Sequence, residues 1–169
     1  MKYDDNVEQR YGIKLVNDRV VRKEAQFSTR ESFEWIRGLV LHLLANPNPM
    51  VVPLYRFEVM EETPSKNNSH WGTYRYAYEM MRLPMLSREE KSLITAMIQR
   101  KYQLDNYSDP VIKDGQRDLP ELFAFMKRVL DDGYYTDLHD NNFLKDEEGN
   151  YRIIDLEGFG SYPGLGQRR

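Results

Sequence analysis

Near the end of the chain three polar side chains, Asp137, Asn142 and Asp155, stand in an otherwise apolar, strand-like setting. The first two belong to Tyr135-Thr136-Asp137-Leu138-His139-Asp140-Asn141-Asn142-Phe143-Leu144, and the third to Ile153-Ile154-Asp155-Leu156-Glu157-Gly158-Phe159. Asp137 and Asn142 lie five residues apart, at the two ends of a short loop. Phe143-Leu144 then enters a strand, Asp146-Glu147-Glu148-Gly149-Asn150 turns it, and Tyr151 to Ile154 returns it to Asp155. A hairpin brings its two ends together, so Asn142 and Asp155 are expected to be neighbours although thirteen residues separate them. An amide oxygen and a carboxylate are hard donors of the kind Mg²⁺ accepts, since that ion takes one or two protein carboxylates and fills its shell from substrate phosphates. A second carboxylate, Asp137, stands beside them. Asp140, Asn141, Asp146, Glu147 and Glu148 read as residues of solvated turns.

Asp137-Leu138-His139-Asp140-Asn141-Asn142 followed by Ile153-Ile154-Asp155 resembles the Asp-x-His-x-x-Asn and Ile-x-Asp motifs of the aminoglycoside- and choline-phosphotransferase branch of the protein-kinase-like superfamily. The resemblance implies that Asp137 is the catalytic base orienting an acceptor hydroxyl, and that Asn142 and Asp155 hold Mg²⁺ on the phosphates of ATP. His139, where protein kinases usually carry Lys, points to the small-molecule branch. Tyr135 is a departure, because it occupies the place of the family's usual loop His.

The elements that must position these residues begin at Ile13. Ile13-Lys14-Leu15-Val16 and Arg19-Val20-Val21-Arg22-Lys23 flank Asn17-Asp18, a hairpin signature. The pair resembles the second and third strands of a kinase amino-terminal lobe, which implies that Lys23 is the cation on the nucleotide phosphates. A slip of one residue would give the role to Arg22, because alternate strand residues face opposite sides. Ser28-Thr29-Arg30-Glu31 is a capping box opening a helix to about Ala45, with Phe33, Ile36, Val40, Leu43 and Leu44 on one stripe. In the resembling family this helix carries a Glu that pairs with the strand Lys, and Glu34, nearer the stripe than Glu31, is the expected partner. Asn46-Pro47-Asn48-Pro49 ends the helix.

Met50 to Val59 reads as a strand demoted to an edge or entry around Pro53, Glu61 to Gly72 as a polar loop, and Tyr74 to Met81 as a further strand. In the family the corresponding strand runs into a hinge whose backbone bonds the adenine edge. The resemblance assigns that backbone to Glu79 and Met81. Ser87-Arg88-Glu89-Glu90 caps a second helix through about Gln103, and Asp105 to Gly115 reads as a loop. Asp118-Leu119-Pro120-Glu121 opens a third helix, with Asp118 as its cap and Leu122, Phe123, Met126, Val129 and Leu130 as its buried stripe. Gly133 ends it and delivers the chain to Asp137.

Composition sets the outer limits. The chain has 169 residues, 40% hydrophobic and 30% charged, so it is globular and able to bury a core divided into two small lobes. A net charge of −3 with scattered Arg and Lys argues against a nucleic-acid partner. The apolar stretch at Leu39 to Ala45 is too short to span a bilayer and no signal-type run opens the chain, so a soluble cytoplasmic protein is expected. There is no cysteine, which removes disulfides, thiol nucleophiles and Cys-based metal sites and fits a reducing compartment.

The resemblance covers about residues 11 to 159 and implies an α+β, two-lobed protein-kinase-like fold. Residues 11–82 would form a small antiparallel-sheet lobe with a hinge near 79–82, and residues 83–169 a reduced, mostly helical carboxyl lobe. No Gly-x-Gly-x-x-Gly precedes Ile13, and 14 residues follow Asp155, with Gly158 to Gly166 expected as a flexible tail. The expected function is ATP- and Mg²⁺-dependent phosphoryl transfer to a hydroxyl on a small molecule or protein, with ATP between the lobes. The alternative is a kinase-like nucleotide-binding or interaction module acting on a partner protein. A homodimer is one way to supply acceptor-binding surface.

Overall fold

A computed structural model describes residues 12–163. The expected arm at residues 1–10 and the end of the expected tail, 164–166, lie outside them. The fold is α+β, and the chain divides into two compact units, the first ending at Pro84 and the second starting at Met85. Among the described residues no helix is long and apolar enough to cross a membrane.

The first unit is a four-stranded antiparallel sheet covered on one face by a helix. Its strands are β1 (Ile13–Asn17), β2 (Val20–Thr29), β3 (Leu54–Pro64) and β4 (Trp71–Met81), in the order β1-β2-β4-β3. The covering helix is α1 (Arg30–Ala45). The Asn17 side chain accepts a 2.8 Å bond from the Arg19 amide, so Asp18 and Arg19 make the turn and β2 starts one residue later than expected. β2 then runs on to Thr29, because Phe27 stacks on Tyr76 at 5.7 Å and keeps the chain extended. The α1 cap therefore moves from Ser28 to Thr29, whose hydroxyl accepts from the Ser32 amide at 3.3 Å. Phe33, Ile36, Leu39, Val40 and Leu43 are the buried residues of α1, with Leu39 in place of the expected Leu44. Phe33 lies 5.3 Å from the Tyr74 ring, and a buried aromatic of this kind stabilises by about 2–3 kcal/mol.

The expected loop from Glu61 to Gly72 is shorter, since β3 continues to Pro64 and β4 begins at Trp71. Glu61, Glu62 and Thr63 belong to an edge strand, whose polar composition imitates a loop. Gly72 permits the close pairing there: a Cβ on it would meet the Thr63 carbonyl oxygen at 2.3 Å.

The second unit holds α2 (Arg88–Gln99), α3 (Pro110–Asp118), α4 (Pro120–Asp132) and a hairpin of β5 (Phe143–Lys145) with β6 (Tyr151–Ile153). The expected capping box forms at α2: the Ser87 hydroxyl accepts from the Glu90 amide at 3.1 Å, and the Glu90 carboxylate from the Ser87 amide at 3.0 Å. Helix α3 replaces part of the expected loop. Asp109 caps it through the Val111 amide at 3.0 Å, Pro110 is its first residue, and only Ile112 and Gly115 are buried, so its apolar signal is brief. Asp118 does not cap α4; it pairs with Arg117 at 2.8 Å, and Leu119 takes the cap position without a side-chain bond. Leu122, Phe123, Met126 and Val129 form the buried stripe of α4, whereas the expected Leu130 is only half-buried, and Gly133 ends the helix at φ 73, a left-handed conformation that favours glycine.

Candidate functional site

The segment that leaves α4 is pinned to the segment that follows β6. Tyr135 bridges Phe159, the Gly160 amide donates to the Tyr134 carbonyl at 2.8 Å, and the Thr136 amide and hydroxyl both reach the Gly158 carbonyl, at 2.8 and 3.0 Å. Gly158 and Phe159 are buried in this contact, so the expected flexible tail does not begin at Gly158. Between the pinned segments Asp137 to Asn142 curls back on itself. The Asn142 amide nitrogen Nδ2 donates to the Asp137 carbonyl at 2.7 Å, and the Asn142 backbone N–H to the His139 carbonyl at 3.2 Å.

Hairpin register carries Asn142 to Asp155 as the spacing predicts. Phe143 pairs with Ile153, and the Ile154 amide donates to the Asn142 carbonyl at 3.0 Å, leaving Asp155 next in line. Asp137, Asn142 and Asp155 then converge on the Tyr135 phenol. Its hydroxyl donates to the Asp155 backbone carbonyl at 2.9 Å. Burial raises the phenol well above its ordinary pKa, and the carboxylates of Asp155, Asp137 and Glu157 raise it further against an opposing contribution from the Asn142 amide. Asp137 is half-exposed, with His139 Nε2 3.8 Å from its Oδ1.

Asn142 is 4% exposed. Its Nδ2 donates to the Asp137 carbonyl at 2.7 Å, and its amide also lies against the Tyr135 phenol. An amide oxygen is a hard donor of the kind a cation accepts. Among the described residues no group of three or more His, Asp or Glu side chains is placed to hold a metal. An amide oxygen beside one carboxylate is a smaller donor set, and it fits Mg²⁺, which keeps water and phosphate ligands.

In the first unit the two candidate cations face opposite ways. Arg22 lies on the sheet face away from α1, bonded to Glu58, to Glu24 at 3.1 Å and to Glu79 at 3.2 Å. Lys23 lies on the α1 side, directly opposite Tyr78, with Nζ 5.9 Å from that ring's centroid. Glu34 is half-exposed, and its ion pair is with Arg37 at 4.0 Å rather than with Lys23. The expected hinge backbone is already engaged. Glu79 sits in the central strand paired with Arg22 and Arg56, and the Met81 amide donates to the Pro53 carbonyl at 2.9 Å. The Arg82 amide reaches the Arg19 carbonyl at 2.8 Å, so the first amide beyond the sheet that donates no bond among the described residues is that of Leu83.

The chain matches no family model and no curated protein. The site therefore rests on its own geometry. Two features of it escaped sequence reasoning. One is the partner of Tyr135: a buried phenol usually finds one, and here it is a carbonyl twenty residues away. Gly158 is the other: a Cβ there would meet the Tyr135 hydroxyl at 2.7 Å and the Asp137 Cβ at 2.8 Å.

Proposed function

We propose that the chain is a kinase-like phosphotransferase that moves the γ-phosphoryl group of ATP to a hydroxyl acceptor. The observation that carries the reading is the closed loop and hairpin: the Asn142 Nδ2 donates to the Asp137 carbonyl at 2.7 Å, the Ile154 amide to the Asn142 carbonyl at 3.0 Å, and the Tyr135 hydroxyl to the Asp155 carbonyl at 2.9 Å. The motif resemblance supplies the roles. Asn142 and Asp155 would hold Mg²⁺, which when bound neutralises charge on the phosphate oxygens. Asp137, half-exposed, is open to an incoming alcohol, whose proton it takes as the acceptor oxygen bonds to the γ-phosphorus and the bond to the ADP oxygen breaks. The proton then passes to solvent, giving a phosphate ester, ADP and H⁺. Arg22 is occupied by three carboxylates, so Lys23 is the cation this reading assigns to the phosphates. The Leu83 amide, in place of that of Met81, is the donor it assigns to the adenine edge.

Thermal unfolding with Mg²⁺ and ATP together, followed by an ADP-release assay over a panel of alcohols, tests this. Stabilisation that rises with ligand concentration, and turnover abolished in Asp155→Ala, are the expected results. An Asp155→Ala protein retaining full activity, or no shift at millimolar Mg·ATP, removes the proposal. A shift without transfer to any acceptor supports the nucleotide-binding module instead.

A further inference from the structure

Along the exposed face of α2 runs a groove of about 530 Å³, wholly within the second unit and lined by Arg88, Lys91, Ser92, Thr95 and Gln99, with Asp140 from the loop that holds Asp137 and Asn142. The helix residues recur at intervals of three and four, so they share one face, while Glu90, Leu93, Ile94 and Met97 are buried on the other. The volume is that of a small-molecule site.

Several cations of this unit are matched with carboxylates: Arg100 with Asp109 at 2.6 Å, Lys127 with Asp131 at 2.8 Å, Lys145 with Glu90 at 3.0 Å and Arg152 with Asp146 at 3.1 Å. Arg88 and Lys91 pair with no carboxylate among the described residues, and Asp140 pairs with no cation. Two unmatched cations one turn apart favour an anion. The hydroxyls of Ser92 and Thr95 and the amide of Gln99 offer donors and acceptors suited to hydroxyl groups. Asp140 places the groove against the Asp137 loop, three residues from the proposed base.

We infer that this groove binds the acceptor, a small polyol bearing one anionic group, with Arg88 and Lys91 on the anion; the acceptor role rests on the phosphotransferase reading, whereas the binding site does not. Positively charged acceptors such as amino sugars are disfavoured by the same two side chains.

Calorimetric titration of the full chain with glycerol 3-phosphate and glucose 6-phosphate, against glycerol, glucose, choline and inorganic phosphate, tests the inference. The expected result is binding of the two phosphorylated polyols ahead of all four controls, weakened about tenfold in the double variant Arg88→Ala/Lys91→Ala. Both positions lie on the helix surface, so that variant is expected to keep the wild-type melting temperature and the wild-type shift with Mg·ATP. No binding of either polyol phosphate, binding unchanged in the double variant, or preference for choline overturns the site. Polyol phosphate binding by a chain that shows no Mg·ATP shift keeps the site and removes its acceptor role.

Discussion

The Tyr135 hydroxyl donates a 2.9 Å hydrogen bond to the backbone carbonyl of Asp155, tying the start of the Asp137 loop to the far end of the hairpin. It fixes where the Asp155 carboxylate leaves the main chain, because its acceptor is the Asp155 backbone. Tyr135→Phe keeps the ring and removes this bond. The protein should lose about 1–3 kcal/mol for the buried carbonyl left unmade, and kcat should fall about tenfold with a weaker dependence on Mg²⁺. Urea unfolding and a Mg²⁺ titration of turnover check this, and an unchanged metal dependence would limit Tyr135 to stability.

Gly158 faces the same phenol from the other side, where a Cβ would stand 2.7 Å from the Tyr135 hydroxyl and 2.8 Å from the Asp137 Cβ. Gly158→Ala should therefore destabilise by about 1–3 kcal/mol through overpacking and displace Asp137. Equilibrium denaturation gives the answer directly: a wild-type midpoint contradicts the close approach.

Acid stability should depend on Glu90, which is 5% exposed. Burial opposes its charge, but hydrogen bonds from the Tyr151 hydroxyl at 2.5 Å, the Ser87 amide and Lys145 outweigh this and lower its pKa from 4.5 to about 2. A depressed carboxylate stabilises the fold above its unfolded pKa and loses that contribution as pH falls through the folded one. About 3 kcal/mol should thus be present above pH 4.5 and disappear towards pH 2. Urea melts of wild type and Glu90→Gln across that window measure it, and parallel pH slopes for the two proteins refute it.

Arg22 and Lys23 should separate cleanly. Arg22→Ala leaves Glu24, Glu58 and Glu79 clustered without their shared cation, so its melting temperature should drop while Mg·ATP affinity holds. Lys23→Ala should instead weaken Mg·ATP binding about tenfold, as expected for loss of a phosphate contact. The opposite pattern would return the role to Arg22.

What the residue order revealed followed from local rules. The Ser87–Glu90 capping box, the Gly133 helix stop and the 143–153 hairpin each depend on residues within about a dozen positions, and the hairpin alone carries Asn142 to Asp155. Local rules also misled where two of them competed. Thr29 took the cap from Ser28 because Phe27 extended the strand, and α3 was hidden because it buries only Ile112 and Gly115.

By itself, then, the sequence determined the α+β pattern, most of the stripes of α1 and α4 and the three polar residues at one loop and one hairpin end. The tertiary structure alone decided that the Tyr135 hydroxyl reaches the Asp155 carbonyl, that Glu34 pairs with Arg37, and that the Met81 amide is taken by Pro53. The physical reason is range. Helix periodicity, caps and short turns are set by neighbours along the chain, whereas the partner of a buried hydroxyl, a carboxylate or a strand amide is whichever group folding brings opposite it.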